Sequence, residues 1–306
     1  MTEPVNWLDL LDPDRPQIEQ AVDVELHPRA RDQLLAPGSH EDDAPRPALE
    51  SHGSYIFGVF LIAVVDAAGD RVYDQEVDLV LTHDRVVTVR KTPPDGDPFD
   101  CQAIHDMHGA GHVRSPGMIA YHLMDEVAER FLDLTDAINE EIDELEDHVE
   151  DWPSNRVRRR LTGLRHDLLR VRRTLTPTRD AARRVVDNRI ELDGDEVFDR
   201  DLELHFADAY DKLLRASEAL ELSRDLVAGV RDYHQAKVAN DQNEVMKRLT
   251  VIASLLLVPT LIVGIYGQNF EDIPETRWHY GYGFSWALII VTTVLQLWYY
   301  RRKRWI

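Results

Sequence analysis

The most constraining feature of this chain is an uncharged apolar segment near its C-terminal end. Residues 249–270 contain no charged side chain, and a helix of this length, at 1.5 Å per residue, covers the roughly 30 Å hydrocarbon core of a bilayer. The segment therefore predicts a membrane-spanning helix. It ends with Gly267, Gln268 and Asn269, so a glycine and two amide side chains stand where the chain leaves the membrane.

A second uncharged segment, residues 280–300, is also long enough to span a bilayer and has aromatic residues at both ends, as expected at membrane interfaces. Basic residues precede the first span at 247 and 248 and follow the second in the tail, residues 301–306. The connecting residues 271–279 carry three acids and one arginine. The positive-inside rule therefore predicts a multi-pass protein of the cytoplasmic (inner) membrane, with both termini in the cytoplasm and residues 271–279 outside.

The residues before the spans predict an α+β cytoplasmic part that begins with a mixed α/β domain over residues 1–112. Residues 16–35 have helical spacing, and residues 99–108 predict a short helix. Three runs rich in aromatic and β-branched residues, joined by short turns, predict antiparallel strands. These runs are residues 54–66, 72–82 and 85–91.

Three helices are predicted next. Residues 113–192 indicate an antiparallel hairpin, because an acid-rich helix over 118–151 is followed by an arginine-rich helix over 154–188. We expect their charged faces to be solvated and to compensate each other. A stalk helix over 193–248 has apolar residues every seven positions and continues without a break signal into the first span, which makes it roughly 100 Å long. One copy cannot bury such a helix, so we expect self-association.

The charge balance argues against a nucleic-acid partner. Acids outnumber bases by 56 to 35, giving a formal net charge of -21, whereas phosphate backbones require a basic surface. The carboxylates suit divalent cations or simply keep the soluble part solvated.

The single cysteine, Cys101, excludes an internal disulfide and fits a reducing cytoplasm. The acidic N-terminus does not have the pattern of a signal peptide.

One face of the third helix carries small, hydroxylated or apolar side chains at spacings of three and four, near and within the first span. Its members are Asn243, Met246, Leu249, Ala253, Leu257, Thr260 and Gly264. Such a face is typical either of a close helix–helix contact or of a pore lining. In a pore, Met246 and Leu249 would form an apolar constriction that gates by dewetting.

The residues at the end of the first span suit a hydrated divalent cation. Mg²⁺ gives up its waters reluctantly, so a selective site can offer neutral oxygens that hydrogen-bond the hydrate. Gly267 lets the backbone come close, and Asn269 supplies an amide. The alternative interpretation is an ordinary helix C-cap, where glycine and asparagine are common.

Motifs along nearly the whole chain resemble the CorA family of magnesium and cobalt transporters. The segments that carry this resemblance are WLDL at 7–10, HP at 27–28, residues 85–90, NEVMKRLT at 243–250, Pro259, GIYGQNF at 264–270, PE at 274–275, RW at 277–278, GY at 281–282 and RKRWI at 302–306. The resemblance implies a funnel-shaped homopentameric channel that is not an enzyme, with the first span lining the pore and the second surrounding it.

The resemblance also assigns roles to residues. Gly267, Gln268 and Asn269 correspond to the selectivity ring, and Met246 and Leu249 to a hydrophobic gate above a polar ring at Asn243. The basic tail would form a positive collar around the gate; its members are Arg301, Arg302, Lys303 and Arg304.

Regulation by intracellular Mg²⁺ is a further implication. Asp208 matches the family's acidic position in a regulatory metal site between subunits, and Asp78 and Asp84 are candidates for its partner. The family's commonest selectivity motif is Gly-Met-Asn, and Gln268 departs from it. Mg²⁺ is still the expected ion, with Co²⁺ or Zn²⁺ as further candidates, and a zinc- or nickel-type transporter of the same family is the alternative that this departure raises. A non-conducting membrane-anchored sensor or scaffold is the alternative from another class.

Potential metal ligands also occur in the α/β domain. Cys101, His105, His108 and His112 recur at near-helical spacing, which would suit zinc or cobalt. Two glycines before His112 predict a helix break, so we favour half-buried or solvated histidines.

Overall fold

The computed structural model describes residues 6–38, 44–65, 72–94, 96–110, 113, 115–193, 197–268, 273 and 277–305. The chain divides into two compact units, Met1–Val230 and Arg231–Ile306. Its described elements are β1 (Asn6–Leu11), α1 (Arg15–Ala21), α2 (Pro28–Leu35), β2 (Ala48–Ser51), β3 (Ile56–Val65), β4 (Val72–Leu81), β5 (Arg85–Lys91), α3 (Gln102–Gly109), α4 (Pro116–His148), α5 (Ser154–Val186), α6 (Arg200–Tyr266) and α7 (Gly281–Arg302).

The first unit contains a five-stranded sheet in the order β1-β5-β4-β3-β2. The three predicted runs form its centre as antiparallel neighbours, which confirms that prediction. β1 pairs in parallel with β5, and β2 pairs with β3. The two outer strands were not predicted, because short edge strands are held by pairing and packing more than by their own propensity.

The helical spacing over 16–35 corresponds to two short helices in the structure, α1 and α2, and not to one continuous helix. Asp14 caps α1 by accepting a hydrogen bond from the Gln17 N–H, and the Gln17 side chain accepts one from the Asp14 N–H in return. Pro28 occupies the first turn of α2. Proline disfavours helical geometry in the residue before it, so the chain must restart there.

The sheet separates two hydrophobic layers. On one face, α1 and α2 pack over Phe57, Val59 and Val80. On the other face, the long helices pack over Phe60, Ile62 and the remaining core side chains. Alternate residues of one strand point to opposite faces, and this alternation decides which side chains meet α2 and which meet the long helices.

The long helices of the first unit follow their predicted apolar periodicity. α4 and α5 form the predicted hairpin, and a salt bridge of 3.2 Å between Arg160 Nε and Glu141 Oε1 links late α4 to early α5. α6 buries a seven-residue repeat that includes Phe206, Leu213 and Leu220. It is one helix of 67 residues, as its unbroken pattern predicted.

Two of the described helices, α6 and α7, are long and apolar enough to cross a membrane. Few residues in their most apolar windows are buried within the chain, in contrast to the core helix of a soluble protein, which buries its apolar side chains. Both helices therefore present large unpartnered apolar surfaces, as expected for membrane spans.

Candidate ion pathway

One face of the apolar part of α6 is buried in the second unit. Val251 is 3% exposed and Ile262 is 8% exposed, in a segment whose other residues are mostly exposed. The side-chain amide of Gln296 in α7 donates a hydrogen bond of 3.4 Å to the backbone oxygen of Ser254. These contacts identify the side of α6 that faces α7.

The predicted face of α6 lies on the opposite side of the helix, and we call it the α6 stripe. Its members are Asn243, Met246, Leu249, Ala253, Leu257, Thr260 and Gly264. Ala253 and Gly264 each follow a buried residue by two positions, which is a rotation of about 200°. Every member of the stripe is exposed within the chain, including Met246 at 58% and Leu257 at 69%. Because α7 does not cover the stripe, its partner must be water, lipid or another copy of the chain.

The threonine of the stripe keeps acceptor capacity on its outer side. Thr260 donates its hydroxyl hydrogen to the backbone oxygen of Leu256 at 2.7 Å, and Thr250 does the same to Met246 at 2.8 Å. A hydroxyl oxygen that has donated still has lone pairs to offer. This stretch of α6 can therefore present oxygen acceptors to a cation or to its water shell.

The helix ends where the selectivity residues were predicted. The Gly267 N–H still donates to the Val263 oxygen at 2.8 Å, and Gln268 N–H donates to Ile265 at 3.3 Å. A Cβ placed on Gly267 would lie 3.1 Å from the Val263 oxygen, so the glycine keeps the last turn tight and free of side-chain bulk. Asn269 lies outside the described residues.

The basic tail continues directly from α7. Arg301 and Arg302 form its last turn, and Lys303 and Arg304 follow, with all four side chains exposed. Cations in the last turn are favoured by the helix dipole. Arg304 adopts a left-handed backbone conformation with φ of 55°, which turns the chain back so that the Trp305 ring stacks on Tyr300.

The structure does not bring the three regulatory candidates together in one chain. Asp208 is exposed on α6, and Asp84 is exposed at the β4–β5 turn, where it accepts a hydrogen bond from Thr82. Asp78 is fully buried on the α2 side of the sheet, whereas α6 packs on the other side. Only Asp84 and Asp208 can therefore reach an ion at the surface.

Asp78 belongs instead to a buried ionic cluster beneath α2. Lys91 Nζ lies 2.9 Å from Asp78 Oδ2, forms an ion pair with Glu76 and donates to the Gln33 backbone oxygen at 2.7 Å. Two carboxylates therefore share one ammonium. Burial raises the pKa of Asp78 to about 7; Lys91 opposes the shift and Glu76 adds to it. This cluster explains why Asp78 is unsuited to a shared surface ion.

A second ionic cluster links α4 to α6 close to Asp208. Lys212 Nζ lies 2.7 Å from Asp125 Oδ1 and 2.5 Å from Glu129 Oε1. Burial alone would lower the pKa of Lys212, but its hydrogen bonds to these carboxylates raise it. This cluster was not predicted from the sequence, although the spacing of Asp125 and Glu129 places both on one face of α4.

The histidines near Cys101 pack around Trp7. His105 stacks on this ring at 3.9 Å between centroids, and His108 meets its edge at 5.8 Å. Burial raises the pKa of the Cys101 thiol to about 12, which disfavours the thiolate that binds metals. His112 lies outside the described residues. In the part of the chain that the structure describes, no three His, Cys, Asp or Glu side chains are arranged to hold a metal ion.

Comparisons with known proteins cover almost the whole chain. A family model described as "CorA-like Mg2+ transporter protein" matches residues 3–302. The "Cobalt/magnesium transport protein CorA" of Thermotoga maritima is 29% identical over 304 residues, which are 98% of this chain and 83% of that protein.

Solved structures share the fold. The CorA magnesium transporter from Methanocaldococcus jannaschii has a TM-score of 0.78 and 20% identity, over 98% of this chain and 91% of that one. The full-length CmaX protein has a TM-score of 0.68 and 21% identity, over 98% and 88%. The combination of a mixed sheet, long helices and two C-terminal spans is therefore found in solved proteins.

Proposed function

Because the chain belongs to the CorA-like Mg²⁺ transporter family, whose model matches residues 3–302, we propose that it conducts Mg²⁺, with Co²⁺ as a second substrate, across the cytoplasmic membrane. The α6 stripe is the observation that carries this proposal. It is exposed on the side of a candidate span that α7 leaves uncovered. Five copies arranged as a homopentamer enclose five such stripes around a water-filled path, with the α7 helices outside.

The pore mouth selects a hydrated ion. Gly267 brings backbone close to the path, and the amides of Gln268 and Asn269 offer neutral oxygens to the water shell of Mg²⁺. Neutral oxygens hold the ion less tightly than a ring of carboxylates would, which allows it to leave. Further along the pore, the hydroxyl oxygen of Thr260 can accept hydrogen bonds from the hydrated ion, and the small side chains of Ala253 and Gly264 leave room for it to pass.

The membrane potential drives entry from outside. It contributes about 2.3 kcal/mol per elementary charge per 100 mV, so a divalent ion gains about twice that amount. Met246 and Leu249 form the gate, Asn243 forms a polar ring on its cytoplasmic side, and Arg301 to Arg304 form the positive collar. A cation must cross this collar, and the positive charge of the collar adds a barrier to its passage. The conformation of the gate controls the height of this barrier.

Intracellular Mg²⁺ closes the channel by bridging Asp208 of one copy and Asp84 of the next. Both carboxylates are exposed, so each can reach an ion that is shared with a neighbouring copy. When the ion leaves, like charges repel across the interface and loosen the closed ring.

A competitive uptake assay in proteoliposomes tests the function. We expect uptake of Mg²⁺ that is competed by Co²⁺ and driven by an inside-negative potential. Stronger uptake of Zn²⁺ than of Mg²⁺ would assign the chain to zinc, the alternative that Gln268 raises. An absence of uptake for all three ions, from protein shown to be folded, would contradict transport and favour a sensor or scaffold.

A further inference from the structure

The outer side of α4 carries a row of acids, which we call the acidic stripe. Its members, spaced by three and four, are Asp133, Asp136, Glu140, Asp143 and Asp147. All five are exposed, and none forms an ion pair with another residue in the described ranges. Five like charges in one row repel one another, so the stripe has a charge that its own chain does not neutralise.

The neighbouring helix α5 carries the opposite charge, in a row that we call the basic stripe. Its members are Arg158, Arg159, Arg165 and Arg173, all exposed and all without an ion pair among the residues that the structure describes. Leu169 lies between the last two and is 51% exposed. By contrast, Arg170 and Arg172 of the same helix pair with Asp74 and Glu221.

The two stripes do not face each other within the hairpin. Glu141 and Arg160 mark the side on which α4 and α5 meet. At about 100° per residue, Glu140 is turned by about 100° from Glu141, and Arg158 by about 160° from Arg160. The charges of the stripes therefore point away from the contact, whereas Glu141 and Arg160 compensate each other across it.

The stripes nevertheless lie at the same height along the hairpin. The Glu141–Arg160 bridge sets the register of the two antiparallel helices. Counting equal numbers of residues away from this bridge puts Arg165 level with Asp136, and Arg158 level with Asp143. A second copy placed beside the first at the same height would bring the acids of one against the arginines of the other.

We propose that the acidic stripe of one copy docks on the basic stripe of the next, as a contact between the cytoplasmic units of the ring. This inference rests on the proposed homopentamer. The contact uses two different surfaces of the same chain, and repetition of such a heterologous contact closes into a ring. A second copy suits the arginines better than an anionic lipid or a nucleic acid, because the net charge of -21 repels both.

The contact has a physical consequence that distinguishes it from a metal bridge. Each exposed ion pair contributes little by itself and is screened by salt. A row of pairs therefore makes an interface that weakens with ionic strength and persists when divalent ions are removed. It would hold neighbouring hairpins together independently of the regulatory ion.

Cysteine cross-linking in the full-length chain tests this contact. Cys101 is first replaced by alanine, and Asp136→Cys and Arg165→Cys are then combined. A short thiol cross-linker should give a ladder of covalent oligomers above the dimer, in chelator and at low salt, with a several-fold lower yield in high salt. Each single-cysteine variant is the matched control and should give no ladder.

Charge reversal makes the test specific. Adding Arg158→Glu to the double-cysteine chain should lower the cross-linking yield several-fold, and adding Asp143→Arg as well should restore it. The docking would be overturned if the folded, multimeric chain gave no cross-linked oligomers. It would also be overturned if the cross-linking yield did not change on charge reversal. Binding of the basic stripe to anionic vesicles in place of cross-linking would overturn it too. A monomeric mass of the parent chain in detergent would instead refute the homopentamer.

Discussion

The buried cluster beneath α2 makes the stability of the protein depend on pH through one side chain. Asp78 is fully buried, and it shares the single ammonium of Lys91 with Glu76. Within the described residues, Asp78 Oδ1 has no hydrogen-bond partner. Replacing Asp78 with Asn keeps the shape of the side chain and removes the titratable carboxyl group.

The magnitude follows from the pKa of this carboxyl, which burial raises from 3.8 to about 7. The folded state therefore holds a proton that the unfolded state has released, and stability falls as pH rises from 3.8 to about 7, then becomes level. At 1.36 kcal/mol per unit, and because the curve flattens near the folded-state pKa, the loss between pH 5 and pH 7 is about 2 kcal/mol. Asp78→Asn abolishes this part of the pH dependence.

Thermal unfolding of the full-length chain in detergent, at several pH values between 5 and 8, measures the effect. A difference of about 2 kcal/mol corresponds to roughly 4–8 °C in Tm for a unit of this size. We expect the Tm of Asp78→Asn minus the Tm of the parent to increase by this amount between pH 5 and pH 7. Asp84→Asn, an exposed carboxyl on the same sheet, is the control and should follow the parent. A variant at Asp78 that keeps the parent's pH profile would refute the reasoning.

Three further changes test other parts of the account. Phe206→Ala removes a fully buried ring and should lower the free energy of unfolding by about 3–5 kcal/mol, measured by thermal unfolding; an unchanged Tm would show that α6 does not need this contact. Lys212→Met separates Asp125 and Glu129 from their shared cation and should cost about 1–2 kcal/mol, with the loss shrinking in high salt; a loss that salt does not change would point to packing instead. Asp208→Asn should move inhibition of flux by internal Mg²⁺ to several-fold higher concentration, and an unchanged inhibition curve would remove this residue from the regulatory site.

Elements with a strong periodic signal were predictable. β3 to β5 have alternating or continuous apolar residues between tight turns, and α4 to α6 have long apolar seams, so burial of one face dictates each element. β1 and the break before Pro28 were missed for opposite reasons. β1 has little strand propensity and depends on β5, whereas the apolar spacing over 16–35 concealed the restart that proline enforces.

The candidate site was only partly predictable. The spacing of the α6 stripe identified one helix face from the sequence. Which side of α6 is covered by α7 is known only from the structure. The ionic cluster at Lys91 was within reach of the sequence, because the two-residue turn at His83 and Asp84 sets a register that places Glu76 opposite Lys91. The sequence did not show that α2 covers this part of the sheet, so the burial of the Glu76–Lys91 pair could not be predicted.

In the proposed function, the chain conducts Mg²⁺ through a pore whose mouth is formed by Gly267, Gln268 and Asn269. This pore mouth is tested by Mg²⁺ flux into proteoliposomes, compared between the parent, Asn269→Ala and the control Asn155→Ala. Asn155 is an exposed asparagine in the first turn of α5, and its replacement should leave flux unchanged. We predict that Asn269→Ala loses most of the flux at equal protein content. Flux equal to the parent's would contradict the proposed pore mouth.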